Sequence, residues 1–216
     1  MPLPTDSLFF GYGPKLTDEQ RIYVDSIFDN KVTIVNAKAG TGKTTLAVAA
    51  ARMLSKPLYY TFGTVEEDAL GFTPGDVEEK EAKYITPLTD ALREIREDPR
   101  LAIKRESNPD FINAEAWVTA KSHVFMRGTN IKGATLIIDE AQNMTRGQLK
   151  KVLTRVHSDV TVIMIGHVGQ NDLDDSATSG FAPYLDHFRD EPYAKVCELT
   201  VNFRGEISQH ADKLSW

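Results

Sequence analysis

The sequence predicts an α/β domain: a mostly parallel sheet with helices on both faces and a small inserted flap. Three observations carry this. Short, nearly continuous apolar runs recur at 31–35, 58–62, 135–139 and 160–165, as strands buried on both faces require. Helical patterns lie between them. A glycine-rich turn joins the first run to a helix, the usual entry to a phosphate site. At 216 residues the chain suits one such domain.

The first 15 residues hold three prolines and two glycines and are expected to form an irregular arm. Thr17 with Gln20 makes a capping box, and Tyr23, Val24, Ile27 and Phe28 follow at helical spacing. Lys31 to Val35 is the first expected strand. A helix from Lys43 to Leu54 follows, with Leu46, Ala47, Ala50, Met53 and Leu54 on one face. Leu58 to Phe62 is the next strand. The charged stretch 66–113, with Pro74-Gly75, Pro87 and Pro99, is expected to be an inserted flap or subdomain with a helix at Pro87 to Arg96. Strands are expected again at Ala116 to Lys121, Thr135 to Asp139, Val160 to Ile165 and Lys195 to Leu199. Thr145 with Gln148 caps a helix that turns Leu149, Val152, Leu153 and Val156 inward. A short helix closes the chain.

The net charge is −6, so charge alone does not mark a protein that coats nucleic acid. Cys197 is the only cysteine, which excludes an intrachain disulfide and a Cys-rich metal cluster. No apolar run reaches the roughly 20 residues needed to cross a bilayer. The N-terminus lacks a basic region and a long apolar stretch, so no signal peptide and no membrane partner are expected. The expected location is the cytoplasm.

Ala37 to Thr44 reads Ala-Lys-Ala-Gly-Thr-Gly-Lys-Thr. This is the Walker A pattern, with Ala37 in place of the leading glycine. Gly40 and Gly42 permit a tight turn that aims backbone N–H groups at one point. Ala39, Gly40, Thr41 and Gly42 would line that cradle, and the helix N-terminus adds a positive dipole. Lys43 would meet the β- and γ-phosphates, Thr44 would ligate Mg²⁺, and Thr45 would reach the α-phosphate.

Leu136 to Ile138 lead into Asp139 and Glu140, two carboxylates where an apolar strand ends. Ligands of open parallel sheets sit beyond the carboxyl ends of strands, so Asp139 should approach Lys43 and Thr44. Asp139 would then hold the metal and Glu140 activate water. Gln142 and Gln170 are candidates to sense the γ-phosphate or position that water. His167 ends the same strand as Gln170; a lone histidine is more often structural.

These blocks resemble the PhoH family and, more broadly, the first motor domain of superfamily 1 helicases. The resemblance runs from about Thr17 to Arg204. Leu16 to Gln20 resembles the helicase glutamine motif, and Asn36 to Thr45 the phosphate loop. Glu66 to Lys80, around Gly71-Phe72-Thr73-Pro74-Gly75-Asp76, is similar to a PhoH segment. So are Phe125-Met126-Arg127-Gly128 and Asp139 to Asn143. Gly166 to Gln170 and Asn202-Phe203-Arg204 resemble later helicase motifs. His167 stands where the family usually has Asp.

The resemblance implies a RecA-like P-loop fold and ATP hydrolysis. It makes Gln20 a candidate adenine reader, although Gln20 is equally the N3 residue of its capping box. Arg204, and more weakly Arg155, would reach the γ-phosphate from its own chain or a neighbour's. The chain ends soon after Arg204, so neither a second motor domain nor a nuclease domain is expected, and the compact form looks like those of bacteriophages. A ring-like homo-oligomer such as a hexamer would complete each site. The expected activity is Mg²⁺-dependent ATP hydrolysis coupled to RNA or single-stranded DNA through the flap at 72–83 and the Arg127 region. The alternative is an ATP-switched protein-binding module. A small-molecule kinase is disfavoured, because Glu140 beside the phosphates would waste ATP on water.

Overall fold

The structure is a computed structural model that describes residues 15–63, 84–104, 116–124, 130–170, 172–173 and 178–211. The N-terminal arm, the Gly71 to Asp76 core and Phe125 to Gly128 lie outside the described residues.

Six parallel strands form one sheet: β1 (Val32–Ala37), β2 (Leu58–Phe62), β3 (Val118–Ala120), β4 (Thr135–Asp139), β5 (Thr161–Gly166) and β6 (Ala194–Leu199), in the order β3-β2-β4-β5-β1-β6. Apolar residues alternate between its faces, as the strand period demands. On one face Val35, Leu58, Tyr60, Phe62, Ile137, Ile163, Ile165 and Leu199 pack under α1 (Asp18–Asp29), α2 (Lys43–Met53) and α3 (Thr86–Glu94). On the other, Ile34, Leu136, Ile138, Val162 and Met164 pack under α5 (Arg146–Leu153) and α6 (Phe181–Phe188). Short helices α4 (Pro99–Ala102) and α7 (Glu206–Ala211) complete the set among the described residues.

Both capping boxes form, at Thr17/Gln20 and Thr145/Gln148. β1 runs two residues past the expected end, because Asn36 pairs with Gly166 and Ala37 with Leu199. Phe28 is exposed rather than in the core; Gln20 and Ser26 share the buried face of α1 instead. α2 buries every residue from Leu46 to Ala51, being covered by the sheet, α1 and α3; its alanines allow that close approach.

Two helices depart from expectation. α3 falls within the expected flap, yet it buries Leu88, Ala91 and Leu92 in the main core against α2. The rest of that stretch between β2 and β3 is described only at 84–85, 95–104 and 116–117. α6 has no counterpart among the expected elements; it starts after Gly180 and carries Pro183. Pro183 is the third helical residue, where no intrahelical donor is needed. No helix among the described residues is long and apolar enough to cross a membrane.

Candidate functional site

The C-terminal ends of β1, β4 and β5 meet at one corner. β5 lies between β1 and β4, so the turn after β5 falls between the phosphate loop of β1 and the carboxylates of β4.

The phosphate loop is held by its carbonyls. Thr41 Oγ1 donates to Lys38 O at 3.1 Å, Phe203 N to Gly40 O at 2.8 Å, and Gln20 Nε2 to Thr41 O at 2.9 Å. Tyr23 Oη donates to Lys43 O, and Lys43 Nζ to Ala37 O, each at 3.4 Å. With these carbonyls occupied, and the Lys38 amide donating to Leu199 O at 3.1 Å, the amides that follow Lys38 in the loop suit an anion. The N-cap of α2 is Gly42, whose missing side chain cannot satisfy the first helical donors. Gly40 and Gly42 sit at φ +73° and +78°. A Cβ on Gly40 would fall 2.3 Å from Asn202 Oδ1 and 2.8 Å from Arg204 Cγ. Ala39, Gly40 and Thr41 precede the helix; Thr44 and Thr45 are half-buried in its first turn.

Asp139 shares its sheet face with Ile137, the face toward α2, and is buried. Its Oδ2 accepts from Thr44 Oγ1 at 3.0 Å and from Tyr60 Oη at 2.6 Å. Its Oδ1 accepts from the Glu140 amide at 2.9 Å. Thr44 and Asp139 thus face each other across a gap that sequence separation alone does not reveal.

Glu140 occupies the left-handed region, at φ 49° and ψ 41°. A non-glycine residue held there stores about 1–3 kcal/mol of strain, a feature concentrated at working sites. Burial pushes the Glu140 carboxyl above its ordinary range; the Asp139 and Asp172 charges add to this, while Lys43 and the Gln142 hydrogen bond oppose it. Gln142 Nε2 donates to Glu140 Oε2 at 2.5 Å. Gln142 Oε1 in turn accepts from His167 N at 3.2 Å, and Val168 N donates to Asn36 Oδ1 at 3.1 Å. Glu140, Gln142 and the 167–170 turn therefore form one linked unit.

Gln170 sits half-buried in that turn, its amide donating to His167 O at 3.2 Å. Arg204 lies against Gly40 of its own chain, with its amide on Asn202 Oδ1 at 2.8 Å. Gln209 Nε2 donates to both Asn202 O and Arg204 O at 3.0 Å, tying α7 to this segment. Arg155 does not join the site. It follows α5, and its carbonyl accepts from Ile131 N, before β4 begins. That is the opposite end of β4 from Asp139, which sets Arg155 apart from its own chain's site.

Both polar ends of the Gln20 side chain are engaged within the protein: its Oε1 accepts from Thr17 N at 3.1 Å, as the capping box requires, while its Nε2 donates to Thr41 O. Sequence reasoning passed over Tyr23, Tyr60 and Phe203. Phe203 is an exposed aromatic anchored to Gly40 O; an aromatic next to the arginine of its motif was the signal available.

Thr44 and Asp139 offer hard oxygen donors, the chemistry magnesium prefers. Among the described residues no group of three or more His, Cys, Asp or Glu side chains forms a metal cage. An oxygen pair of this kind fits an ion that takes its remaining ligands from phosphates and water.

A family model described as PhoH-like protein matches residues 14–213. The chain belongs to the PhoH family. A PhoH-like protein of Mycobacterium leprae is 33% identical over 208 residues, covering 92% of this chain and 57% of that protein. The chain therefore spans little more than half of that relative. The relative is bacterial, and it lends no support to a phage-type form. Among solved structures, the UvsW helicase of bacteriophage T4 aligns with a TM-score of 0.57 at 11% identity, over 84% of this chain and 59% of that one. The large terminase of the thermophilic bacteriophage D6E, in complex with ADP, aligns at 0.54 and 13% identity, over 93% and 50%. These likenesses show the fold: this PhoH-family chain is a RecA-like P-loop domain.

Proposed function

We propose that this chain binds ATP with magnesium at the corner of β1, β4 and β5 and hydrolyses it. The observation that carries the reading is the 3.0 Å bond from Thr44 Oγ1 to Asp139 Oδ2, which joins the phosphate loop to the acidic strand. The ADP bound by the D6E terminase supports a nucleotide in this fold.

The loop N–H groups and the Lys43 ammonium would bind the β- and γ-phosphates. Thr44 and Asp139 would hold magnesium, which when bound neutralises phosphate charge as it develops. Glu140 would orient the attacking water and accept its proton at Oε1, since Gln142 occupies Oε2. Gln142 and the Gln170 turn would report the γ-phosphate to the rest of the domain. Arg204 would act within its own chain, with Phe203 offering a flat apolar face beside the loop. The ring-like homo-oligomer gains no support from this site, because the arginine is already at hand; sedimentation tests it.

Coupling to RNA or single-stranded DNA, in the cytoplasm, is part of the same proposal. The test is phosphate release from ATP alone, with single-stranded RNA and with single-stranded DNA, for wild type, Lys43→Ala and Glu140→Gln. Wild-type turnover that both substitutions abolish is expected. No turnover in wild type overturns the hydrolase reading. Turnover indifferent to RNA and DNA overturns the coupling and favours the ATP-switched module.

A further inference from the structure

Tyr60 has no part in the chemistry described above. It is a fully buried residue of β2, and its hydroxyl sits 2.6 Å from Asp139 Oδ2. The pairing of Phe62 with Asp139 places Tyr60 diagonally on the same sheet face, pointing toward α2. The oxygen that Tyr60 grips is the one that also accepts from Thr44.

We propose that Tyr60 is the positioning residue of the magnesium site, fixing the Asp139 carboxylate so that one oxygen faces Thr44. This rests on the nucleotide reading given above. Three donors share the carboxylate: Thr44, Tyr60 and the Glu140 amide. Thr44 is the donor expected to turn toward a metal. Tyr60 and the Glu140 amide would then be what remains to keep the Asp139 carboxylate oriented. A phenol suits the task, being a strong neutral donor that adds no competing charge. Hydrogen bonds behind a metal ligand commonly control affinity by 10–100-fold, as a general order of magnitude.

The test is Tyr60→Phe, which removes the hydroxyl and keeps the ring. Affinity for ATP is measured by calorimetry at rising magnesium, together with affinity in EDTA. The magnesium concentration for half-maximal enhancement should rise roughly tenfold, while affinity in EDTA and the far-UV circular dichroism match wild type. Asp139→Asn serves as the positive control for loss of the magnesium effect. If Tyr60→Phe shows the wild-type magnesium response, the inference is overturned and the nucleotide reading stands. If it loses affinity equally with and without magnesium, the hydroxyl is merely structural and the inference is again overturned. If wild type itself shows no magnesium effect, both readings fall together.

Discussion

Gln20 donates its side-chain amide to the Thr41 carbonyl at 2.9 Å while its oxygen accepts the Thr17 amide at 3.1 Å. One side chain therefore caps α1 and fastens the phosphate loop. A residue that holds the loop acts on every triphosphate alike; a residue that reads adenine does not. Gln20→Ala is expected to weaken ATP and GTP equally. The loss of a buried hydrogen bond amounts to about 1–2 kcal/mol, roughly tenfold in affinity. Fluorescence titration of both nucleotides decides it; a loss confined to ATP would restore the adenine role.

Glu140 combines a left-handed backbone, burial and a raised carboxyl pKa. As a base it must be ionised, so kcat should fall with decreasing pH on a limb above the ordinary Glu value of 4.5. Stability runs the other way. A folded-state pKa raised above the unfolded value contributes stability below the unfolded pKa and loses it as pH rises through the folded one. Near pH 7 the ionised Glu140 therefore opposes folding. Glu140→Gln should abolish turnover yet raise Tm at pH 7, with the gain fading in acid. Calorimetric melts across pH check it, and an unchanged Tm at neutral pH would contradict the burial argument.

The site was readable where local sequence dictates local geometry. Gly40, Gly42 and Lys43 announce the loop because a tight turn into a helix needs those residues there. Ile137 to Asp139 announce the acidic strand through apolar content and its abrupt end. What stayed hidden depends on contacts between distant segments. Nothing near Tyr60 in sequence says that its hydroxyl meets Asp139, because β2 and β4 become neighbours only through the sheet order. Arg155 is plausible in sequence because it follows the helix after Asp139, yet α5 carries the chain back to the N-terminal end of β4. The apolar face of α3 lay inside a charged, proline-rich stretch, which masked its place in the core.

That placement of α3 can be tested. Leu92 is wholly buried in the core that includes α2 and β2. A helix in a detachable flap would tolerate truncation there; a core helix would not. Leu92→Ala should cost about 2–5 kcal/mol in urea unfolding, as buried leucines generally do. A cost near zero would return α3 to the insertion.

Arg204 meets Gly40 within one chain, and the contact leaves no room for a methyl group. Gly40→Ala would force Asn202 and Arg204 away and would strain a backbone at φ +73°. It should lower both stability and turnover, whereas Arg204→Ala should lower turnover alone, because Arg204 is exposed. Mixing variants separates the two ways an arginine can serve. If Arg204 served a neighbour's site, Arg204→Ala subunits mixed with Glu140→Gln subunits would recover activity. An intact Glu140 in one chain would then meet an intact Arg204 from the other. With Arg204 bound to its own loop, each chain in the mixture still lacks one essential group. The expected result is a mixture no more active than its parts. Recovered phosphate release would show that the arginine crosses between chains, against the contact with Gly40.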